Sequence, residues 1–218
     1  MSKPAQVTYI EPRWPVALTS IVVFALLAFL PSRIRLLPTW VPCLFVIALN
    51  VPMAALALTH AKARWLRIEG VVTLLFLVIV GLLNVAHLRY LFAAISSASG
   101  KITGLQLLTS SVTVWTVNVL VFSLAYWRID RGGPETRTNQ AGSNPDWLFP
   151  QESGDAPYHR RTMFLDYLFL AFWTAMAFSP TDAAPLSYRA KLLMLLESLI
   201  SLVTLVIVAA RAINILGS

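Results

Sequence analysis

Residues 166–216 read DYLFLAFWTAMAFSPTDAAPLSYRAKLLMLLESLISLVTLVIVAARAINIL. The first apolar piece, 166–178, would be only about 20 Å long as a helix, which is too short to cross a bilayer comfortably. Pro180 then breaks it, because proline has no N–H to donate and disfavours helix at Ser179. A long apolar helix is expected from about Leu186 to Leu216. The stretch therefore predicts a short helix, a break and a long membrane helix.

The rest of the chain is also apolar. Of its 218 residues, 57% are hydrophobic and 12% are charged, against roughly 25% charged residues in soluble domains. A soluble protein of this size could not bury so much apolar surface in one core, so the excess must face lipid. We therefore predict an all-α fold, a multi-pass transmembrane helical bundle in a lipid bilayer.

The length of each apolar run sets the number of spans. A bilayer core of about 30 Å needs ~20 apolar residues in a helix. By this measure the sequence predicts five clear spans, near residues 14–31, 38–59, 68–92, 104–127 and 187–213. The sixth segment, 163–179, is shorter. It is either a tilted sixth span or a re-entrant helix of the pore type, and the choice decides on which side the C-terminus lies.

Charged and aromatic residues mark the span ends. The chain has 17 Lys+Arg against 10 Asp+Glu, and the basic residues lie between apolar runs, where they anchor helices at the membrane surface. We therefore expect lipid and not nucleic acid as a partner. The positive-inside rule favours a cytoplasmic N-terminus in a cell membrane. The aromatic residues that we expect at headgroup level are Trp14, Trp40, Trp65, Tyr126, Trp127 and Tyr188.

The chain divides into N-terminal membrane helices (1–127), a polar connector (128–162) and the C-terminal hairpin (163–218). The connector is rich in glycine, proline and charge, which predicts a solvated, partly mobile segment. Within it, Asp146–Pro150 is too apolar for open solvent. Packing against the bundle or the membrane interface is one interpretation, and a partner-binding motif is the other.

Polar residues inside the spans are candidate functional groups, because they are costly in lipid. Glu197 is expected near the middle of the last helix, either on an ion or proton path or hydrogen-bonded to neighbouring helices. Suitable partners are Ser198, Ser201 or Thr204 of a neighbouring chain, or Asn84 or Asn118. Asn84 and His87 are three residues apart and share a helix face. The candidate intramembrane polar network is Asn84, His87, Asn118 and Asp166.

The C-terminal hairpin resembles the pore region of tetrameric potassium-type cation channels. The likeness rests on the opening Asp166-Tyr-Leu, on Thr174-x-x-x-Phe178, on a filter-like segment ending at Asp182, and on AKLLMLLESL at 190–199. It implies that Asp166 opens a pore helix, that Asp182 follows the filter and that Glu197 lies on the inner helix. It also implies a homotetramer and monovalent cations. The ion pathway that it implies comprises Phe178, Ser179, Pro180, Thr181, Asp182 and Glu197.

The filter itself departs from that family. A potassium filter needs carbonyl groups that point inward, which glycine permits by adopting positive φ. Residues 177–181 contain no glycine, Ala177 stands where the filter threonine is expected, and Pro180 fixes one φ. A potassium-selective carbonyl ladder is therefore not expected. In the alternative interpretation, Asp182 merely caps the last helix and Pro185 forms its first turn.

A second resemblance covers the whole chain. Through WRIDRGG at 127–133 and PDWLFP at 145–150, the sequence is similar to an uncharacterised family of bacterial inner-membrane proteins. This likeness implies a location and no activity.

Several function classes lack support in the sequence. It contains no HExxH, GxSxG, GxGxxG or GxxxxGK[ST] motif, and no Cys/His cluster with the spacing of a zinc site. We expect no enzyme, no cofactor and no metal. The leading hypothesis is an oligomeric, channel-like protein, and the alternative is a non-transporting membrane scaffold or assembly protein whose connector binds a partner. A small-solute transporter is less favoured, because only the C-terminal part shows a broken helix.

Overall fold

The computed structural model describes residues 11–30, 35, 38, 40–58, 63–96, 104–138, 144–152, 160–177 and 183–216. Its α-helices are α1 (Trp14–Ala28), α2 (Trp40–Leu58), α3 (Ala63–Ser96), α4 (Gly104–Ile129), α5 (Pro134–Thr138), α6 (Phe164–Ala177) and α7 (Tyr188–Leu216). Two-residue strands β1 (Trp147–Leu148) and β2 (Ala184–Pro185) pair antiparallel. Short 3₁₀ turns cover Asp130–Gly132 and Pro150–Glu152.

The structure confirms an all-α protein with helices that suit a membrane. Among the described residues, three helical segments are long and apolar enough to cross a bilayer: Trp65–Ala93, Leu105–Gly132 and Tyr188–Ala210. The prediction of five clear spans is not confirmed, because α1 has only 15 residues and α2 is not among the three. The predicted short segment is a helix of 14 residues, α6.

Helix α4 lies at the centre of the bundle, and its C-terminal part is buried continuously from Val121 to Trp127. Against it packs a stripe of α7 with helical spacing, which includes Met194, Glu197, Ser201 and Thr204, all buried. This i, i+3, i+4 pattern is that of one buried helix face. The opposite face of α7 is exposed and apolar, as expected of a face in lipid; it comprises Leu192, Leu195, Leu196, Leu199, Leu202, Val203 and Val206.

The connector differs from the prediction. It was expected to be solvated, yet in its described parts Asp130, Arg137, Asp146, Trp147 and Phe149 are all buried. The reason is that the charged side chains are paired with opposite charges or hydrogen-bond donors. The two rings pack on Tyr126 and Tyr167. The apolar Asp146–Pro150 segment does pack against the helices, as one of the two interpretations held.

The start of α7 also differs from the alternative prediction. Pro185 does not form the first turn of the helix; it lies in β2, opposite Trp147. The helix begins at Tyr188, and its cap is Ser187, whose hydroxyl accepts a hydrogen bond from the backbone N–H of Ala190 at 3.1 Å. Asp182, the predicted cap, lies outside the described residues.

Two of the aromatic residues expected at headgroup level are buried inside the protein. Trp14, Trp40 and Tyr188 are exposed, as expected of membrane anchors, but Tyr126 and Trp127 are fully buried. Each is held by a carboxylate. The Tyr126 hydroxyl donates to Glu197 Oε2, and Trp127 Nε1 donates to Glu11 Oε1. The polar tips of both side chains are therefore satisfied inside the protein, which an aromatic residue near the end of a span does not indicate by itself.

A tight backbone turn follows α4. Gly133 has φ of +113°, and a Cβ added there would lie 2.2 Å from Arg128 Nη1. Gly133→Ala is therefore expected to destabilise the protein by roughly 1–3 kcal/mol. Gly81→Ala is the matched control, since nothing lies within 4 Å of its added Cβ and alanine favours the helix. Thermal unfolding in detergent, followed by tryptophan fluorescence, compares the two. Equal midpoints would contradict a constrained turn at Gly133.

Candidate functional site at the junction of α4, α6 and α7

Helices α6 and α7 run in the same direction. The rings of Trp127 and Phe164 lie 6.3 Å apart, and those of Trp115 and Phe172 lie 6.0 Å apart, so α6 is antiparallel to α4. Helix α7 is antiparallel to α4 as well, because Glu197 meets Tyr126 and the later Ser201 meets the earlier Asn118. Both helices therefore start at the C-terminal end of α4.

This parallel arrangement fixes where the chain between the two helices begins and ends. Ala177 lies at the far end of α6, about 20 Å from its start, whereas Ala184 pairs with Leu148 of the connector at the near end. The predicted filter residues, Phe178 to Asp182, fall between these points and lie outside the described residues.

Asp130 holds α6 and the connector together. Its carboxylate accepts hydrogen bonds from the Tyr167 hydroxyl at 2.5 Å and from the backbone N–H of Asp146 at 2.9 Å. Arg137 Nη1 lies 4.0 Å from the same carboxylate. One buried acid at the end of α4 thus fixes the first turn of α6 and the residue that precedes β1.

Asp146 continues this connection to α7. Its carboxylate accepts from Arg189 Nε at 2.5 Å and Nη2 at 2.6 Å, and from the Ser187 hydroxyl. Its carbonyl oxygen accepts from the backbone N–H of Leu186 at 2.8 Å. The start of α7 is therefore bound to the connector through both side chain and backbone.

Asp166 acts locally at the start of α6. Its carboxylate pairs with Arg160 and accepts from the backbone N–H of Met163 at 2.8 Å. This is a helix N-terminal interaction. Asp166 lies in the first turn of α6, which begins at Phe164, and none of its hydrogen bonds reaches the other members of the predicted polar network.

A cluster of charged residues, all buried except the half-buried Arg128, surrounds the same end of the bundle; we call it the charged end (Glu11, Arg13, Glu69, Arg128, Asp130, Arg137, Asp146). Glu11 accepts from Arg137 Nη2 at 2.7 Å. Burial lowers the pKa of Arg13, with Glu69 and Glu11 opposing this effect. For Arg137, burial acts in the same direction, but Tyr167, Glu11 and Asp130 outweigh it and raise the pKa. Both guanidinium groups stack on rings, Arg13 on Trp127 and Arg137 on Tyr167.

Sequence reasoning missed the charged end. Its basic members were assigned to membrane anchors and its connector residues to a solvated segment, and Glu11 and Glu69 received no assignment. The one usable signal was that acids accompany the basic residues there: Glu11 beside Arg13, and Asp130 between Arg128 and Arg131. Anchors at a lipid surface need no such counter-charges.

A second polar cluster lies deeper, between α3, α4 and α7. Tyr126 donates to Glu197 Oε2 at 2.5 Å. The Asn118 amide donates to Ser201 Oγ at 3.0 Å and to the Glu197 carbonyl oxygen at 3.3 Å. Asn84 donates to Asn118 Oδ1 at 3.4 Å. The structure therefore joins Asn84, Asn118 and Glu197 within one chain and adds Tyr126, which the sequence did not suggest.

His87 is not joined to this cluster. It is buried, and its Nδ1 lies 2.8 Å from the Leu83 carbonyl oxygen one turn earlier in α3. It shares the buried face of α3 with Asn84, as its spacing predicted.

Two rings that were candidates for partner binding are not at the surface. Trp147 packs on Tyr126 with ring centroids 4.9 Å apart, and Phe149 packs on Tyr167 at 5.1 Å. Both rings are buried. Within residues 144–152 only Leu148 keeps a large exposed apolar side chain. Trp147 and Phe149, the rings that a docking motif would expose, therefore pack inside the protein and stabilise the bundle.

Fold and site together define a class, an all-α protein with membrane-length helices. In it the C-terminal end of α4 binds the starts of the short helix α6 and the long helix α7, which run parallel. A scan against protein-family models, a search of curated proteins and a search of solved structures each find no match to this chain. In the described part of the chain, no group of three or more His, Cys, Asp or Glu lies together as a metal site would.

Proposed function

We propose that the chain is an oligomeric, channel-like membrane protein in which α4, α6 and α7 form the pore-forming unit. The observation that carries this proposal is the parallel course of α6 and α7. Both α6 and α7 start at the C-terminal end of α4. In this proposal α6 therefore does not complete a crossing of the membrane. It enters the membrane, and the chain returns to the side of entry.

The composition of the returning segment supports an oligomer. Residues 178–182 include Ser179, Thr181 and Asp182. Non-helical backbone at membrane depth is tolerated only where protein buries it or where it lines a water-filled cavity, and an acid there needs the same surroundings. Several copies arranged around an axis would provide them. The resemblance to potassium-type channels suggests four copies.

In this proposal a ring of Asp182 side chains attracts monovalent cations at the pore mouth. No potassium selectivity is assigned, because residues 177–181 lack glycine. Glu197 has a different place: its side chain is buried within one protomer against Tyr126 of α4, and we assign it to the protomer and not to the shared pore.

The topology follows from the same arrangement. Helices α1, α2, α3, α4 and α7 would cross the membrane, and α6 would re-enter. The N-terminus and the C-terminus would then lie on opposite sides, with the N-terminus and the mouth of the hairpin on the cytoplasmic side of a bacterial inner membrane.

The test combines subunit number with ion flux. Native mass spectrometry from lipid nanodiscs should give one closed oligomer, expected to be a tetramer. In proteoliposomes, Asp182→Asn should lower monovalent-cation flux by a factor of about 10 or more, because a charged ring concentrates counter-ions at a pore mouth. Asp155→Asn, which removes an acid from the connector, is the matched control and should leave flux unchanged.

Two results would contradict the proposal. A monomer in nanodiscs would end it, because α6 and α7 of one chain cannot enclose a pore. Unchanged flux in a folded Asp182→Asn protein would end the assignment of the mouth to 178–182. The scaffold hypothesis would then lead, although Trp147 and Phe149 could not carry it.

A further inference from the structure

In the described part of the chain, two acids have buried carboxylate oxygens without a hydrogen-bond partner, Glu69 and Glu197. Glu69 lies near the charge of Arg13, whereas in that part of the chain Glu197 has no such neighbour. Its side chain is fully buried, about 13 Å along α7 from Tyr188. Oε2 accepts the hydrogen bond from Tyr126. Oε1 is buried and has no hydrogen-bond partner among the described residues.

No positive charge faces this carboxylate from the described parts of the helices around it. On α4 its neighbour is Tyr126, a neutral phenol. On α3 the buried His87 is bonded to Leu83, and Glu69 lies at the charged end. On α6, Asp166 is bound to Arg160. The cations near the start of α7 itself are exposed, and Arg189 is bound to Asp146.

The relative cost of the two protonation states decides which one this site holds. An ionised carboxylate in an apolar interior, with one phenol as donor and no cation, costs roughly ten times more than a neutral carboxyl with one unsatisfied atom. We infer that Glu197 and Tyr126 form a proton-binding site between α4 and α7 of each protomer, with the proton on Glu197 Oε1. The site is separate from the proposed mouth at 178–182.

The ligand is a proton and not a metal ion, because a cation bound in a membrane interior needs several oxygen ligands. At the contact between Glu197 and Tyr126, one carboxylate oxygen, Glu197 Oε1, lacks a partner, and within the described ranges no cluster of metal-binding side chains includes it. Proton exchange with water would require α7 to separate locally from α4, since Tyr126 and Glu197 are both fully buried at their contact.

Labelling with N,N′-dicyclohexylcarbodiimide tests the site in the intact chain. This apolar reagent reacts with neutral carboxyl groups in membranes. The carboxyl proton moves to one carbodiimide nitrogen, the carboxyl oxygen adds to the central carbon, and the adduct rearranges to a stable N-acylurea with no leaving group. The protein in nanodiscs is labelled to completion at neutral pH, and the modified peptide is identified by mass spectrometry.

The expected result is one label per chain at Glu197, absent in Glu197→Gln and unchanged in Asp182→Asn. Tyr126→Phe removes the donor that favours the ionised form, so labelling should persist to higher pH than in the unaltered protein. Ion-paired Glu11 should remain unlabelled under the same conditions.

Three results would overturn the inference. One is a Glu197 that stays unlabelled in the folded protein while the denatured chain reacts. Another is labelling of Tyr126→Phe with the same pH dependence as the unaltered protein. The third is protection by sodium ions at constant pH, which would make the site a cation site. Because labelling is independent of subunit number and flux, its failure is distinct from failure of the channel proposal.

Discussion

Replacing Asp130 with alanine is expected to destabilise the protein by about 3–5 kcal/mol, the cost of removing one partner from a buried, charged hydrogen-bond network. The variant leaves the Tyr167 hydroxyl and the backbone N–H of Asp146 without their acceptor. It also deprives Arg137 of a nearby negative charge. The free energy of unfolding is measured by titration with sodium dodecyl sulfate in mixed micelles.

The matched control is Arg160→Ala, which removes the ion-pair partner of Asp166 in the first turn of α6. The Arg160 side chain is about half exposed, and exposed ion pairs contribute roughly 0–1 kcal/mol. The two variants should therefore differ several-fold in their effect. If Asp130→Ala cost no more than Arg160→Ala, the hydrogen bonds at Asp130 would not be what fixes α6 to α4.

The ion pair between Glu11 and Arg137 should give the second large effect. Both side chains are at most 4% exposed, and they meet at 2.7 Å. Glu11→Gln and Arg137→Gln are each expected to cost about 3–5 kcal/mol, because each removes the counter-charge that is hydrogen-bonded to the other buried charge. The double variant should cost clearly less than the sum, with an interaction energy of about 1–3 kcal/mol.

The pair Arg131–Glu152 provides the control for this cycle. It has the same chemistry in the same connector, but its side chains are 25% and 17% exposed. Its interaction energy should be about 1 kcal/mol or less, because solvent screens it. Strict additivity of Glu11→Gln and Arg137→Gln would show that the N-terminal segment and the connector are not coupled through this pair.

The helices could be predicted from the sequence, because lipid imposes a minimum length on each apolar run. The last helix was expected from about Leu186 and begins at Tyr188; the short helix was expected at 163–179 and covers Phe164–Ala177. Helix α3 extends further than its predicted span, from Ala63 to Ser96. Its polar ends continue the helix past the apolar run, and hydropathy does not report them.

The direction of α6 could not be predicted from local pattern. A run of 14 residues is compatible with a tilted crossing and with re-entry, since hydropathy is the same in both. The direction of α6 in the structure follows from Asp130, which binds the first turn of α6 and, through Asp146, the start of α7. These contacts join residues far apart in the chain, and no periodicity records them.

The residues of the candidate sites, too, could be predicted from the sequence only in part. Glu197 could be singled out from its position in an apolar helix, because a charge in lipid needs an explanation. Its partner Tyr126 could not, since an aromatic residue near the end of a span is usually a headgroup anchor. Only the packing of α7 on α4 reveals that the Tyr126 hydroxyl points at a carboxylate.

The charged end also sets an order of events during synthesis. Glu11 meets Arg137, which is 126 residues later in the chain. At roughly 5–20 residues per second, a ribosome needs about 6–25 seconds to make that interval. Throughout this time Glu11 has no Arg137 to pair with. The contact between the N-terminal segment and the connector can therefore form only after α1 to α4 have been synthesised.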